Sequence, residues 1–183
     1  MRGMDAFTDN YRFLARYNQW FNTNLLDSAE RLTDAERKQD RGAFFDSIHH
    51  TLNHLLVSDQ IWLRRFRQCG LEHGWQATSL SDAVLDLPQE ASLNTVLVDD
   101  WVALRAKRLQ LDVGIVQWVS DMPKGFAQST MRYANSKGVQ RAHPAWQALT
   151  HFFNHQTHHR GQVTALLMQA GVDPGTTDLI ALA

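Results

Sequence analysis

The chain has 183 residues, 44% of them hydrophobic and 20% charged, the balance of an ordinary globular protein long enough to bury a sizeable core in one domain spanning the whole sequence. A formal net charge of -1 and a pI near 6.7 leave no overall field to draw it to nucleic acid or to an anionic membrane. Cys69 is the only cysteine, which excludes an internal disulfide and a cysteine-rich zinc site; the opening residues hold no signal-peptide core, and no apolar run nears the roughly 20 residues of a membrane span, so a soluble cytoplasmic protein is expected.

A first helix is predicted from Asp5 or Thr8, as cap, to about Arg31. Its apolar face is made by Phe7, Tyr11, Leu14, Phe21 and Leu25, with Tyr17 and Trp20 beside it. Thr33-Asp34-Ala35-Glu36 reads as a capping box on one short turn. The second helix is predicted from Phe44 to about Gln68 on the stripe Ile48, Leu52, Leu55, Trp62, Phe66, with Asp59 inside it and Gly70 and Gly74 closing it. Leu71 to Pro88 is a long connection, with a turn near Ser81 to Leu85, suited to cover one end of the molecule.

The near-heptad run Leu93, Leu97, Trp101, Leu104, Leu111, Ile115, Trp118, Met122 predicts a third helix from Gln89 to Asp121. Gly114 inside it costs about 1 kcal/mol relative to alanine and is a place for a bend. Ala127 to Tyr133 and Val139 to Ala142, on either side of Asn135-Ser136-Lys137-Gly138, predict an irregular β-hairpin. Pro144 suits the first turn of a fourth helix, which Gly171 ends. The fold class is therefore all-α, a four-helix bundle with long connections after its second and third helices and a small hairpin before the fourth.

The chemistry concentrates in Phe152-Phe153-Asn154-His155-Gln156-Thr157-His158-His159-Arg160-Gly161-Gln162, which holds three of the nine histidines. On a helix, His155 and His159 lie one turn apart on one face, the spacing with which two imidazoles reach one divalent ion. On a helical wheel whose buried direction is set by Trp146, Leu149, Phe152, Phe153, Val163, Leu166, Leu167 and Ala170, His159 lies roughly 50° and His155 roughly 90° from the centre. His151 and His158 fall beyond about 120° and should face solvent. Gln156 lies near the centre of the apolar arc, where a buried amide must be bonded and is placed to orient a ligand imidazole. On the second helix the wheel does not choose among His49, His50 and His54, so periodicity leaves the third ligand open.

Tyr17-Asn18-Gln19-Trp20-Phe21-Asn22, Gly42 through His49, Thr51-Leu52-Asn53-His54-Leu55-Leu56-Val57-Ser58-Asp59, Ile61-Trp62-Leu63, His151 through Gln162, Gly171-Val172-Asp173-Pro174 and Thr177-Asp178-Leu179 follow one another in order. Together, over nearly the whole chain, they resemble the DinB/YfiT-like four-helix-bundle metalloproteins. The resemblance implies that the histidine opening the His-Leu-Leu-x-x-Asp segment, His54, joins His155 and His159 on one divalent transition metal, zinc or nickel by family habit. Three neutral nitrogen ligands leave a coordination position open, as catalytic sites do. A bound water or thiol there would have its pKa lowered. Among relatives this serves either thiol-dependent S-transfer and isomerisation, with a low-molecular-weight thiol, or hydrolysis; the small-molecule substrate itself is not legible.

Asp59 has two readings, a carboxylate behind the ligands or a general base near the metal, and a buried acid tied to an arginine or an indole. Trp20, Trp62, Trp101, Trp118 and Trp146 are expected in the core, with room for one on a cleft wall, and Cys69 is expected to be a bystander. Asn18 and Asn22 have no role that the sequence assigns. The rival to an enzyme is a non-enzymatic metal-binding stress-response or interaction protein, a homodimer through an exposed helix face. Near-neutral charge without a basic stripe argues against nucleic-acid binding.

Overall fold

The structure, a computed structural model, describes residues 6–182 apart from the side chain of Phe7, so the expected cap Asp5 and the Phe7 member of the first apolar face lie outside the described residues. Four long helices form the bundle: α1 (Ala6–Glu30), α3 (Ile48–Glu72), α4 (Trp101–Ser120) and α5 (Ala145–Gln169). The capping box between Thr33 and Glu36 is formed and starts the short α2 (Asp34–Lys38). An antiparallel hairpin, β1 (Thr130–Ala134) and β2 (Gln140–Pro144), pairs Thr130 with Pro144 and leads directly into α5. Helix α1 packs along α4 and α5, and α3 along α5. Phe66 of α3 stacks on Trp118 of α4 at 5.1 Å and meets Phe152 of α5 edge-on at 5.8 Å, so one aromatic cluster joins three helices. No helix among the described residues is long and apolar enough to cross a membrane.

Several boundaries differ from the sequence expectation. Helix α1 is already formed at Ala6, so Thr8 lies buried within it rather than ahead of it. Helix α3 begins at Ile48, because Ser47 is its cap and accepts from the His50 amide at 3.1 Å. The residues before it turn tightly, with positive φ at Gly42 and at Asp46, a residue type that tolerates that region. This leaves Phe44 80% exposed while Phe45 is turned inward. Gly70 stays within α3: a Cβ there would come 3.1 Å from the Trp75 carbonyl, so its absence lets Trp75 fold back onto the helix. Trp146, counted in the buried stripe of α5, is 37% exposed.

The largest correction concerns residues 89–100, which are not helical; α4 starts at Trp101, where Asp100 accepts from the Ala103 amide at 2.8 Å. The preceding segment is a strap whose backbone bonds to side chains of α3. His49 Nε2 donates to the Asp99 carbonyl at 3.1 Å and His50 Nε2 to that of Asn94 at 3.1 Å. Asn53 bonds both the Val98 carbonyl (3.0 Å) and the Val98 amide (2.8 Å). These side chains meet the hydrogen-bonding demand that a helix would otherwise have met. Gly114 serves approach rather than bending: a Cβ there would lie 3.2 Å from Val84 and 3.4 Å from the Ser79 carbonyl in the connection before the strap.

Inside the bundle lies a polar network to which every long helix contributes. Arg108 of α4 donates to Asp59 of α3 and to Asp112, each at 2.6 Å, with all three side chains at most 2% exposed. Asn18 and Asn22 of α1 donate to Asp112 at 3.0 Å, and Arg160 of α5 donates to the Asn18 side-chain oxygen. Burial alone would lower the Arg108 pKa, but the charges of Asp112 and Asp59 outweigh it and raise it. Arg108→Ala strands two buried carboxylates and is expected to cost about 3–5 kcal/mol in denaturant unfolding. Lys107→Ala, which breaks a partly exposed pair with Asp86, should cost less than about 1 kcal/mol.

Candidate metal centre

Helix α5 presents His155 and His159 one turn apart, and α3 brings His54 up to them from across the groove. The Nε2 atoms of His155 and His159 are 3.1 Å apart, and those of His54 and His155 3.4 Å. One ring nitrogen from each of the three histidines lies within 4.8 Å of the others, which makes them a group able to hold a metal ion. An ion at about 2.0–2.1 Å from tetrahedrally placed nitrogens sets those nitrogens about 3.3 Å apart, a value the observed pair bracket.

The tautomers agree with that fit. His54 Nδ1 lies 2.9 Å from the Leu93 carbonyl, which can only accept, so Nδ1 carries the proton and Nε2 offers its lone pair. His159 Nδ1 donates to Gln162 Oε1 at 2.7 Å, with the same consequence. Phe45 stacks on the His54 ring at 3.9 Å and lies 5.5 Å from that of His159, fixing the imidazoles from below. Burial, with the neighbouring histidines, pushes the His155 pKa down to about 3. Burial pushes that of His159 down to about 4 and lowers that of His54. All three are therefore neutral ligands near neutral pH, and the residues present fit a divalent transition ion.

The remaining candidates sort themselves by geometry. His49 and His50 hold the strap, which is why they leave His54 as the α3 histidine that meets α5. His151 and His158 face solvent, as the wheel predicts, although the His151 ring also lies 5.7 Å from that of His155 and 5.0 Å from Trp62. The amide that orients a ligand is that of Gln162, not Gln156, whose buried side-chain nitrogen and oxygen have no partner among the described residues. Periodicity hid this, because Gln162 bonds an imidazole three residues back on its own helix rather than lying in the apolar arc. The Asp59 carboxylate sits against Arg108. Cys69 is buried, its thiol pKa raised by desolvation.

A cleft of about 320 Å³ opens beside His155, lined by Ser58, Trp62, Arg65, Leu93, Tyr133 and His151 among others, with no carboxylate on its wall. The hairpin forms its outer side, with the Tyr133 hydroxyl 3.3 Å from His143 Nε2. A larger groove of about 670 Å³, between Arg64, Arg67, Gln76 and Asp82, touches none of the three histidines.

A family model described as DinB family matches residues 4–183. Protein DinB of Bacillus subtilis (strain 168) is 27% identical over 168 residues, covering 90% of this chain and 88% of that protein. No solved structure matches the chain.

Elemental analysis of the purified protein should find about one equivalent of transition metal, lost in His54→Ala, His155→Ala and His159→Ala but retained in His151→Ala and His158→Ala. Gln162→Ala should weaken metal affinity by about 10–100-fold in a competition titration with a chelator. In the metal-free chain the unfolded state takes up protons below the ordinary value of 6.5, while the folded His155 and His159 resist until about 3 and about 4. Stability should therefore fall as pH drops from 6.5 towards 4, and fall less steeply in His155→Gln, as thermal melts would show.

Proposed function

Because this chain belongs to the DinB family, we propose that it is a metal-dependent enzyme, a thiol-dependent transferase acting on a small molecule in the cleft beside His155. The observation that carries this reading is that one member of the three-histidine group, His155, stands on the wall of that cleft. Structural zinc sites are closed by four protein ligands, whereas catalytic ones keep a position for water or substrate. A bound divalent ion, zinc or nickel by its imidazole ligands, would supply a Lewis acid that lowers the pKa of a thiol or water.

The protein's own residues have separable tasks in this reading. His54, His155 and His159 hold the ion, and the Leu93 carbonyl and Gln162 keep their rings turned towards it. His151, whose pKa is lowered by burial and by Arg65, is neutral near neutral pH and receives the thiol proton at a ring nitrogen. Trp62 and Tyr133 stand as the apolar wall that limits water. Asp59 belongs to the bundle network through Arg108.

Transfer is favoured over hydrolysis by the wall of the cleft. It carries no carboxylate to serve as a second acid–base group for hydrolysis, whereas thiol transfer needs one base, the His151 imidazole. Metal-loaded protein offered low-molecular-weight thiols together with carbon electrophiles should form thioethers faster than metal-stripped protein. His151→Ala should keep its metal while losing about 100-fold in kcat with a smaller change in KM. Turnover of ester or amide panels instead would assign hydrolysis, and silence in both assays would favour a metal-binding protein without catalysis.

A further inference from the structure

The cleft holds one charge that the fold does not balance. Arg65 projects from α3 onto its wall, half-buried, with the guanidinium carbon 4.7 Å from the Trp62 ring centre and 4.5 Å from that of Tyr133. One Nη2 donor is used by the Ala134 carbonyl at 3.2 Å. No carboxylate lies within ion-pairing distance of it among the described residues, whereas Arg12, Arg37, Arg67, Arg105 and Arg108 each have one. Burial lowers its pKa, yet an arginine remains a cation. A partly desolvated cation with unused donors, on the wall of a cleft, is a site for an anionic group of a ligand.

Its place relative to the histidines sets the length of that ligand. Arg65 follows His54 by three helical turns, so both lie on one face of α3, roughly 16 Å apart along the axis. The guanidinium lies over Trp62, about one turn nearer to His54, which brings it to on the order of 10 Å from the histidine end of the cleft. The floor between them is aromatic, from His155 to His151 at 5.7 Å and from His151 to Trp62 at 5.0 Å.

We infer that the substrate is an elongated carboxylate, its carboxylate docked on Arg65, its body on the Trp62–His151 floor, and its reacting end at His54, His155 and His159, about 10 Å away. A carboxylate fits better than a phosphate because one cation balances one negative charge, and a dianion would stay undercompensated. The inference rests on the cleft beside the three histidines being the substrate site.

Cobalt-loaded protein and a series of ω-mercaptoalkanoates test it, with thiol capture read from the sulfur-to-cobalt absorption. 8-Mercaptooctanoate, whose sulfur and carboxylate are about 10 Å apart, should bind on the order of tenfold tighter than 8-mercaptooctan-1-ol. The short 3-mercaptopropionate should show no such gain over 3-mercaptopropan-1-ol. Arg65→Gln should abolish the gain of the acid over the alcohol, and Arg65→Lys should restore part of it. Equal binding of acid and alcohol by the unsubstituted protein, or a gain that survives Arg65→Gln, overturns the inference. Octanoate, followed in parallel by tryptophan fluorescence, separates the two failures. A response lost in Arg65→Gln keeps the carboxylate site even where no thiol reaches the cobalt, which would sink only the thiol chemistry. No response to octanoate with either thiol series silent overturns both.

Discussion

The buried pairing of Arg108 with Asp59 and Asp112 is the constraint to which the rest of the bundle is set. Apolar faces alone let helices slide and rotate past one another at little cost, whereas a desolvated charge network has one register in which its opposite charges meet. Through Asn18 and Asn22 the network takes in α1, and through Arg160 it takes in α5. Asp59 sits five residues after His54, and Arg160 is the residue after His159. The same contacts that fix α3 against α5 therefore fix the ligand histidines against each other. A slip of one residue would move a ligand about 1.5 Å along its helix and turn it about 100°, more than metal coordination tolerates.

The strap of residues 89–100 completes that arrangement by failing to be a helix. In a helix the Leu93 carbonyl would be taken by the amide of Leu97, and His54 Nδ1 would have no acceptor to fix its tautomer. Held open by His49, His50 and Asn53, the strap offers that carbonyl at 2.9 Å and places Leu93 on the cleft wall. The polar run of α3 thus divides its labour: His49, His50 and Asn53 hold backbone, and His54 alone turns its free nitrogen to α5.

This division marks the limit of what periodicity can read. The capping box, the hairpin turn, Gly171 as a helix stop and the pair His155 and His159 depend on neighbours within a few residues, and their spacing carries the information. His54 does not, since the features that separate it from His49 and His50 are carbonyls some 40 to 50 residues further on. The resemblance to a family named His54 where the wheel could not. Asn18 and Asn22 were silent for the same reason, their partner Asp112 lying 90 or more residues away. The third predicted helix ran too long because Leu93 and Leu97 continue a heptad spacing whose carbonyls are committed to another helix.

The arrangement at the three histidines is costly to the protein on its own. With Nδ1 of His54 and His159 both donating, their Nε2 lone pairs face His155 Nε2 at 3.4 Å and 3.1 Å, where one imidazole N–H can serve only one of them, and burial disfavours a further proton. Interactions elsewhere must offset that cost, and the charge network and the aromatic cluster of Phe66, Trp118 and Phe152 both include the two helices that carry the ligands. A cation at the centre turns the same repulsion into coordination, so ion binding and folding stability are thermodynamically linked. A bundle that needed only to fold would have no use for two lone pairs turned onto a third imidazole. Their convergence is the arrangement that a group able to hold a metal ion requires.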